Sequence, residues 1–274
     1  MPKTLNGTNT EATVNTKIDC RNVRREFIAG KTVVQALGPL NLQVAQGEFV
    51  CLVGPSGCGK STLLRIIAGL LNPSDGEVRL AHEHVEHPLL SVVFQDYSIY
   101  PWKTVKNNVR LGLKISGVSA VEADNRVSYW LDKLHLTRFA DSYPGTLSGG
   151  MRQRVSIARA LVLSPENILM DEPFAALDAQ LRKLMQDELL NIWQEDKRTV
   201  LFVTHNLDEA ILLGDRVVVM GAAPGRVIAE FKVPFERPRN SDLRNDPAFS
   251  ALEGEIWACL RDEVGTGLQV KTGG

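Results

Sequence analysis

The chain has 274 residues, 44% of them hydrophobic, and 31 Lys and Arg against 32 Asp and Glu leave a formal net charge of -1. A chain of that length buries roughly 75% of its unfolded surface, so one large domain, or a core with a subdomain, needs no disulfide support. Near-neutrality removes the basic face that sequence-independent nucleic-acid binding draws on, and no nucleic-acid partner is expected; Cys20, Cys51, Cys58 and Cys259 show neither metal spacing nor a secreted framework, which points to a reducing compartment.

Residues 1–16 are polar, rich in Thr and Asn, and lack an apolar h-region, so they read as a disordered arm rather than a signal peptide. The apolar run Phe49 to Val53 predicts a buried strand and leads into Gly54-Pro55-Ser56-Gly57-Cys58-Gly59-Lys60-Ser61, with Thr62 after it, which fits the phosphate-binding pattern G-x-x-x-x-G-K-[ST]. In such a loop the glycines let backbone N–H groups turn inward as an anion nest, and the next helix presents its positive end. Lys60 adds a mobile charge, and Ser61 supplies a hydroxyl for Mg²⁺. A nucleotide phosphate is therefore the expected ligand, with Mg²⁺. The apolar run Leu63 to Leu71 contains Arg65 and is too short to span a bilayer.

His82, His84 and His87, interleaved with Glu83 and Glu86 and followed by Pro88, suit an exposed ribbon or hairpin better than a metal site. A strand is predicted at Ser91 to Phe94. From Gln95 to Pro165 the pattern turns purely helical, with candidates at Val105 to Leu113 and Val121 to Leu134, the mark of a helical insertion. Ser148, Gly149 and Gly150, within Leu147-Ser148-Gly149-Gly150-Met151, precede the helical run Arg152 to Leu163 and form a second helix-terminus anion site, which one ATP has no obvious way to share with the first.

The strand Ile168 to Met170 ends in Asp171-Glu172-Pro173, placing Asp171 to hold Mg²⁺ through water and Glu172 to orient or deprotonate the water that attacks the γ-phosphate. Leu181, Leu184, Met185, Leu189, Ile192 and Trp193 recur at helical spacing, and that face is expected on the sheet. After the strand Thr199 to Val203, Asn206 and Glu209 resemble a capping box, so His205 falls in a strand-to-helix loop, where it could donate to the γ-phosphate or tether Glu172. A last strand is predicted at Arg216 to Met220. Strands alternating with helices predict an α/β core built on a parallel sheet. After Pro234 the chain turns rich in Arg, Pro, Asp and Asn, with no readable role.

Taken in this order, the phosphate loop, Leu147 to Met151, Asp171-Glu172-Pro173 and His205 resemble the ATP-binding cassette (ABC) ATPases, over residues from about 18 to about 239. Val92-Val93-Phe94-Gln95 leading to Tyr100-Pro101-Trp102-Lys103-Thr104-Val105, then Asp171-Glu172-Pro173-Phe174 with Ala176-Leu177-Asp178, Trp193, and Pro224-Gly225-Arg226 are similar to the branch serving nitrate, sulfonate, taurine and bicarbonate importers. The resemblance implies an ABC ATPase domain over 17–240, with a P-loop (RecA-like) core, a helical subdomain at about 97–164 and an antiparallel β subdomain, followed by a C-terminal extension, 241–274. It implies that Phe27 stacks on adenine, that Gln95 reaches Mg²⁺, that Asp178 lies on a loop exchanged between subunits, and that Ser148 to Gly150 face the γ-phosphate bound by the opposing subunit. A homodimer closing head to tail on two ATP molecules follows. The remaining implied partners are membrane permease subunits and, indirectly, a periplasmic substrate-binding protein, with the chain peripheral at the cytoplasmic face of the inner membrane. The chain departs from relatives at Ala81 to Pro88, at Ala175 and at Asn167. A soluble ABC protein of DNA repair or translation is the alternative, and it would need a long coiled-coil insertion or two cassettes in one chain, which this sequence lacks.

Overall fold

The computed structural model describes residues 15–30, 32–222 and 224–270, apart from the side chains of 29, 262 and 264–270. Its central layer is a six-stranded sheet in the order β5 (Leu90–Val93), β6 (Asn167–Asp171), β7 (Thr199–Val203), β3 (Phe49–Val53), β8 (Arg216–Gly221) and β9 (Arg226–Lys232). All pairs are parallel except β8 with β9. Largely apolar runs form β3, β6, β7 and β8 because both sheet faces are covered there. On β3, Phe49, Cys51 and Val53 face one core, while Val50 and Leu52 face the other.

The second core lies between the parallel sheet, α1 (Lys60–Ile67), and a three-stranded antiparallel sheet ordered β2 (Thr32–Ala45), β1 (Thr16–Ala29) and β4 (Asp75–Leu80). The expected arm over 1–16 needs correction at its end: Thr16 pairs with Ala45 in β1, and the Asn15 amide donates to Gln46 and Glu83 at 2.7 Å each. Residues 1–14 lie outside the described residues.

Between β5 and β6 the described chain forms α2 (Val105–Ile115), α3 (Ala120–Lys133) and α4 (Gly149–Leu161), each with a hydroxyl N-cap: Thr104, Ser119 and Ser148. Asn108, fully buried on α2, accepts from the Tyr100 N–H at 2.7 Å and donates to the carbonyls of Tyr100, Lys103 and Thr104. That amide fixes the loop after Gln95 and leaves Tyr100 and Trp102 partly exposed.

Three local expectations change. On α5 (Ala179–Asp196) Leu184 is 58% exposed, and Gln186 and Leu190 join Met185, Leu189, Ile192 and Trp193 on the buried face. The apolar spacing admitted either face, and packing chose. On α6 (Leu207–Leu213) only half a capping box forms: Asn206 accepts from the Glu209 N–H, but the Glu209 carboxylate turns inward. Residues 81–88 are neither ribbon nor hairpin. They form a turn folded over Glu166, because β4 and β5 belong to different sheets, and among the described residues no three His, Cys, Asp or Glu side chains are grouped to hold a metal ion. Asn167, polar at the start of β6, donates to the Leu89 carbonyl at 2.7 Å and so ties β6 to the approach of β5. The chain past Pro234 wraps back, with Arg239 buried against the carbonyls of Phe235 and Gly214, and ends in α7 (Pro247–Val270), which packs Phe249, Leu252, Ile256 and Leu260 on the core.

Candidate active site

Four loops leave the C-terminal ends of parallel strands at one edge of the sheet. They carry the phosphate loop after β3, Gln95 after β5, Asp171 and Glu172 at the end of β6, and His205 after β7. Such an edge is where open α/β sheets place ligands.

The phosphate loop turns into α1 at Gly59, whose φ of +94° is left-handed, and an added Cβ there would meet Leu37 Cδ2 at 2.5 Å. Only glycine satisfies both constraints. No side chain caps α1, so its first N–H groups are open to an anion. Behind the loop the turn at Pro224-Gly225 closes in: Gly225 bonds to Ala36 and Gly38 of β2, and a Cβ on it would lie 2.1 Å from the Cys58 carbonyl. Lys60 is 6% exposed, with its ammonium on the carbonyls of Gly54 at 2.8 Å and Pro55 at 3.0 Å, so its charge sits inside the loop. Cys58 is buried, and that burial pushes its thiol up against the opposing pull of Lys60. Ser56 and Gly57 are exposed at the rim; Thr62 is half-buried on α1.

Ser61 Oγ donates to Asp171 Oδ1 at 2.8 Å, bringing oxygen donors from α1 and β6 to one point. Burial raises the Asp171 carboxyl above its usual range, with the Ser61 hydrogen bond opposing. Hard oxygen donors of this kind suit Mg²⁺. Glu172 has a φ of +45°, sparsely populated for a side-chain-bearing residue, and its N–H donates to the Val203 carbonyl at 2.9 Å. Strain held at one such residue is common where function fixes a side chain. Its carboxylate lies 3.1 Å from His205 Nδ1, the nitrogen that carries the proton when a carboxylate accepts.

The other anticipated residues lie at the margin of this cluster or on separate elements. Gln95 is exposed beside the end of β6, and Phe27 lies on β1, 39% exposed, with the Arg25 guanidinium 4.6 Å from its ring centre. Ser148 accepts from the Met151 N–H, and Asp178 accepts from those of Gln180 and Leu181, so both serve as helix caps. Gly149 and Gly150 open α4, where a Cβ on Gly150 would lie 2.2 Å from Leu181 Cδ2. Sequence reasoning missed what holds the His205 loop. Buried Thr204 donates to Glu209 Oε2 at 2.6 Å, and Gln186 on α5 donates to Glu209 Oε1 at 3.0 Å. A carboxylate in a capping position gave no sign that it turned inward.

A glycine-rich phosphate loop facing an Asp-Glu strand end, with a histidine on the glutamate, defines the class: a P-loop nucleoside triphosphatase on an α/β sheet. The ABC transporter family profile matches residues 37–175. The nitrate import ATP-binding protein NrtD of Synechococcus elongatus is 44% identical over 255 residues, covering 90% of this chain and 92% of the relative. The aliphatic sulfonates import ATP-binding protein SsuB of Bacillus cereus is 43% identical over 229 residues, covering 82% and 90%. Among solved structures, the dimeric ATP-binding cassette MJ0796, in a post-hydrolysis state with ADP and Pi, superposes with a TM-score of 0.71 at 34% identity, covering 80% of this chain and all of that one. The chain belongs to the ABC transporter family as an ATP-binding subunit, and it is an ABC ATPase.

Proposed function

We propose that this chain energises an importer of a small anion of the nitrate, sulfonate, taurine or bicarbonate class, as a homodimer that closes on two ATP molecules and drives membrane permease subunits. The observation that carries the proposal is the split between two anion sites. The phosphate loop, Asp171, Glu172 and His205 share one sheet edge, whereas the hydrogen bonds of Ser148 stay within its own α4. A second chain would bring its Ser148 to Gly150 segment to the γ-phosphate. Charge-assisted hydrogen bonds, about 1.5–3 kcal/mol each, then make closure depend on that phosphate. Asp178, at the start of α5, would lie in the contact.

Within each site Lys60 supplies positive charge to the phosphates, and Glu172 orients the attacking water while His205 holds the Glu172 carboxylate. Mg²⁺, held by Ser61, Gln95 and Asp171, would neutralise charge developing between the phosphates. Phe27 offers adenine a ring. The insertion within 97–164 is the subdomain that would meet the permease, through partly exposed Tyr100 and Trp102. No helix among the described residues is long and apolar enough to cross a membrane, in keeping with a peripheral subunit at the cytoplasmic face of the inner membrane, serving a periplasmic binding protein only indirectly.

The test has two parts. Glu172→Gln should bind ATP and persist as a dimer in gel filtration, with turnover down by about 10²-fold or more; a wild-type rate removes Glu172 from catalysis. Tagged purification from solubilised native membranes should recover a multi-spanning permease in stoichiometric amount. Recovery of soluble partners alone, with ATPase activity intact, overturns the transport assignment.

A further inference from the structure

The loop that carries His205 is connected to the C-terminal segment by an unbroken run of hydrogen bonds. Arg244, in the short 3-10 turn Ser241–Asn245, donates through Nη2 to Gln186 Oε1 at 2.6 Å. The Gln186 amide donates to Glu209 Oε1 at 3.0 Å, Thr204 Oγ1 donates to Glu209 Oε2 at 2.6 Å, and the Asn206 N–H donates to Thr204 Oγ1 at 3.0 Å. His205 sits between Thr204 and Asn206, 3.1 Å from Glu172.

The direction of this chain is set by chemistry. A guanidinium can only donate and a carboxylate only accept, so Gln186 can hold both in one amide orientation alone. Gln186 is 1% exposed and Glu209 4%, so neither has water to substitute for a lost partner. Arg244 is anchored separately by Asp208, whose two oxygens accept from Nε at 2.7 Å and from Nη2 at 2.8 Å. The guanidinium is thus positioned by one carboxylate and aimed at the amide that steadies another. With Arg244 removed, the Gln186 carbonyl oxygen loses its donor, the amide is free to turn, and Glu209 Oε1 loses the donor that steadies the carboxylate whose Oε2 holds Thr204.

We propose that Arg244 is a positioning residue for ATP hydrolysis, holding His205 in register with Glu172 through Gln186, Glu209 and Thr204. The proposal rests on the reading of His205 given above. Arg244 touches no phosphate-binding residue, so its influence falls on turnover and not on nucleotide affinity.

Steady-state and single-turnover ATPase assays of the full chain test this. Arg244→Ala should lower kcat about tenfold or more with KM for ATP within about twofold, the pattern of a displaced catalytic group. In the His205→Ala background the same substitution should cost less than about twofold, since both changes remove one function. Asp208→Asn, which keeps one acceptor oxygen for the guanidinium, should lower the melting temperature and lower kcat by less than Arg244→Ala does, because it loosens the anchor and spares the Gln186 contact. Arg226→Ala, which removes the 2.7 Å pair between β9 and Glu263 of α7, should leave kcat unchanged. An Arg244→Ala rate near wild type overturns the proposal, as does a loss of equal factor with and without His205, or an Asp208→Asn kcat that falls as far as that of Arg244→Ala. A wild-type rate for His205→Ala alone overturns the reading of His205, and the relay then has no catalytic end point.

Discussion

Glu166, one residue before β6, should be worth more to the fold than any exposed carboxylate. Its side chain is 6% exposed and accepts from Lys17 Nζ at 2.6 Å, from the His84 N–H at 2.7 Å and from the Glu83 N–H at 3.1 Å. Burial alone would raise its carboxyl, but Lys17 and the two backbone donors outweigh that and hold it down at about 2, against an ordinary 4.5. Taken at 1.36 kcal/mol per unit, the difference comes to about 3 kcal/mol at neutral pH. The sign follows from a depressed folded value: the stabilisation is complete above about 4.5 and is lost as pH falls toward about 2. Glu166→Gln keeps the shape and removes the charge, leaving Lys17 buried with Glu83 at 3.2 Å as its remaining carboxylate. Urea unfolding at pH 7 should show the variant about 2–3 kcal/mol less stable, and the gap should shrink by roughly half at pH 3. Equal stability at pH 7, or a gap that does not change with pH, would refute the reasoning.

Two further predictions concern the site itself. Burial raises the Asp171 carboxyl, so ionised Asp171 costs stability above its folded pKa; Asp171→Asn should raise the melting temperature while Mg²⁺-dependent hydrolysis is lost, and a lower melting temperature in calorimetry would contradict this. Gly150→Ala puts a Cβ 2.2 Å from Leu181 Cδ2 and should cost about 1–3 kcal/mol as well as rate, both substantially restored by Leu181→Ala in the same chain; additive losses in the double variant would show that the two side chains do not meet.

The sequence by itself determined the parts with strong local rules. A glycine-rich loop after Phe49 to Val53 and acids ending an apolar strand were legible because backbone N–H groups and carboxylates reach phosphate and metal from only a few spacings. The motif order was enough to identify the ABC ATPase resemblance, and the family match bears it out. Tertiary structure decided the rest. It turned Leu184 to solvent and Gln186 inward, since apolar period fixes a helix but not which flank of its stripe meets the core. It folded the His82 to His87 segment over Glu166 and sent Glu209 away from the cap toward Thr204, because a buried carboxylate goes where donors from distant elements converge. Arg244 lies 58 residues from Gln186 along the chain, and only packing of the C-terminal segment beside α5 and α6 brings the two within 2.6 Å.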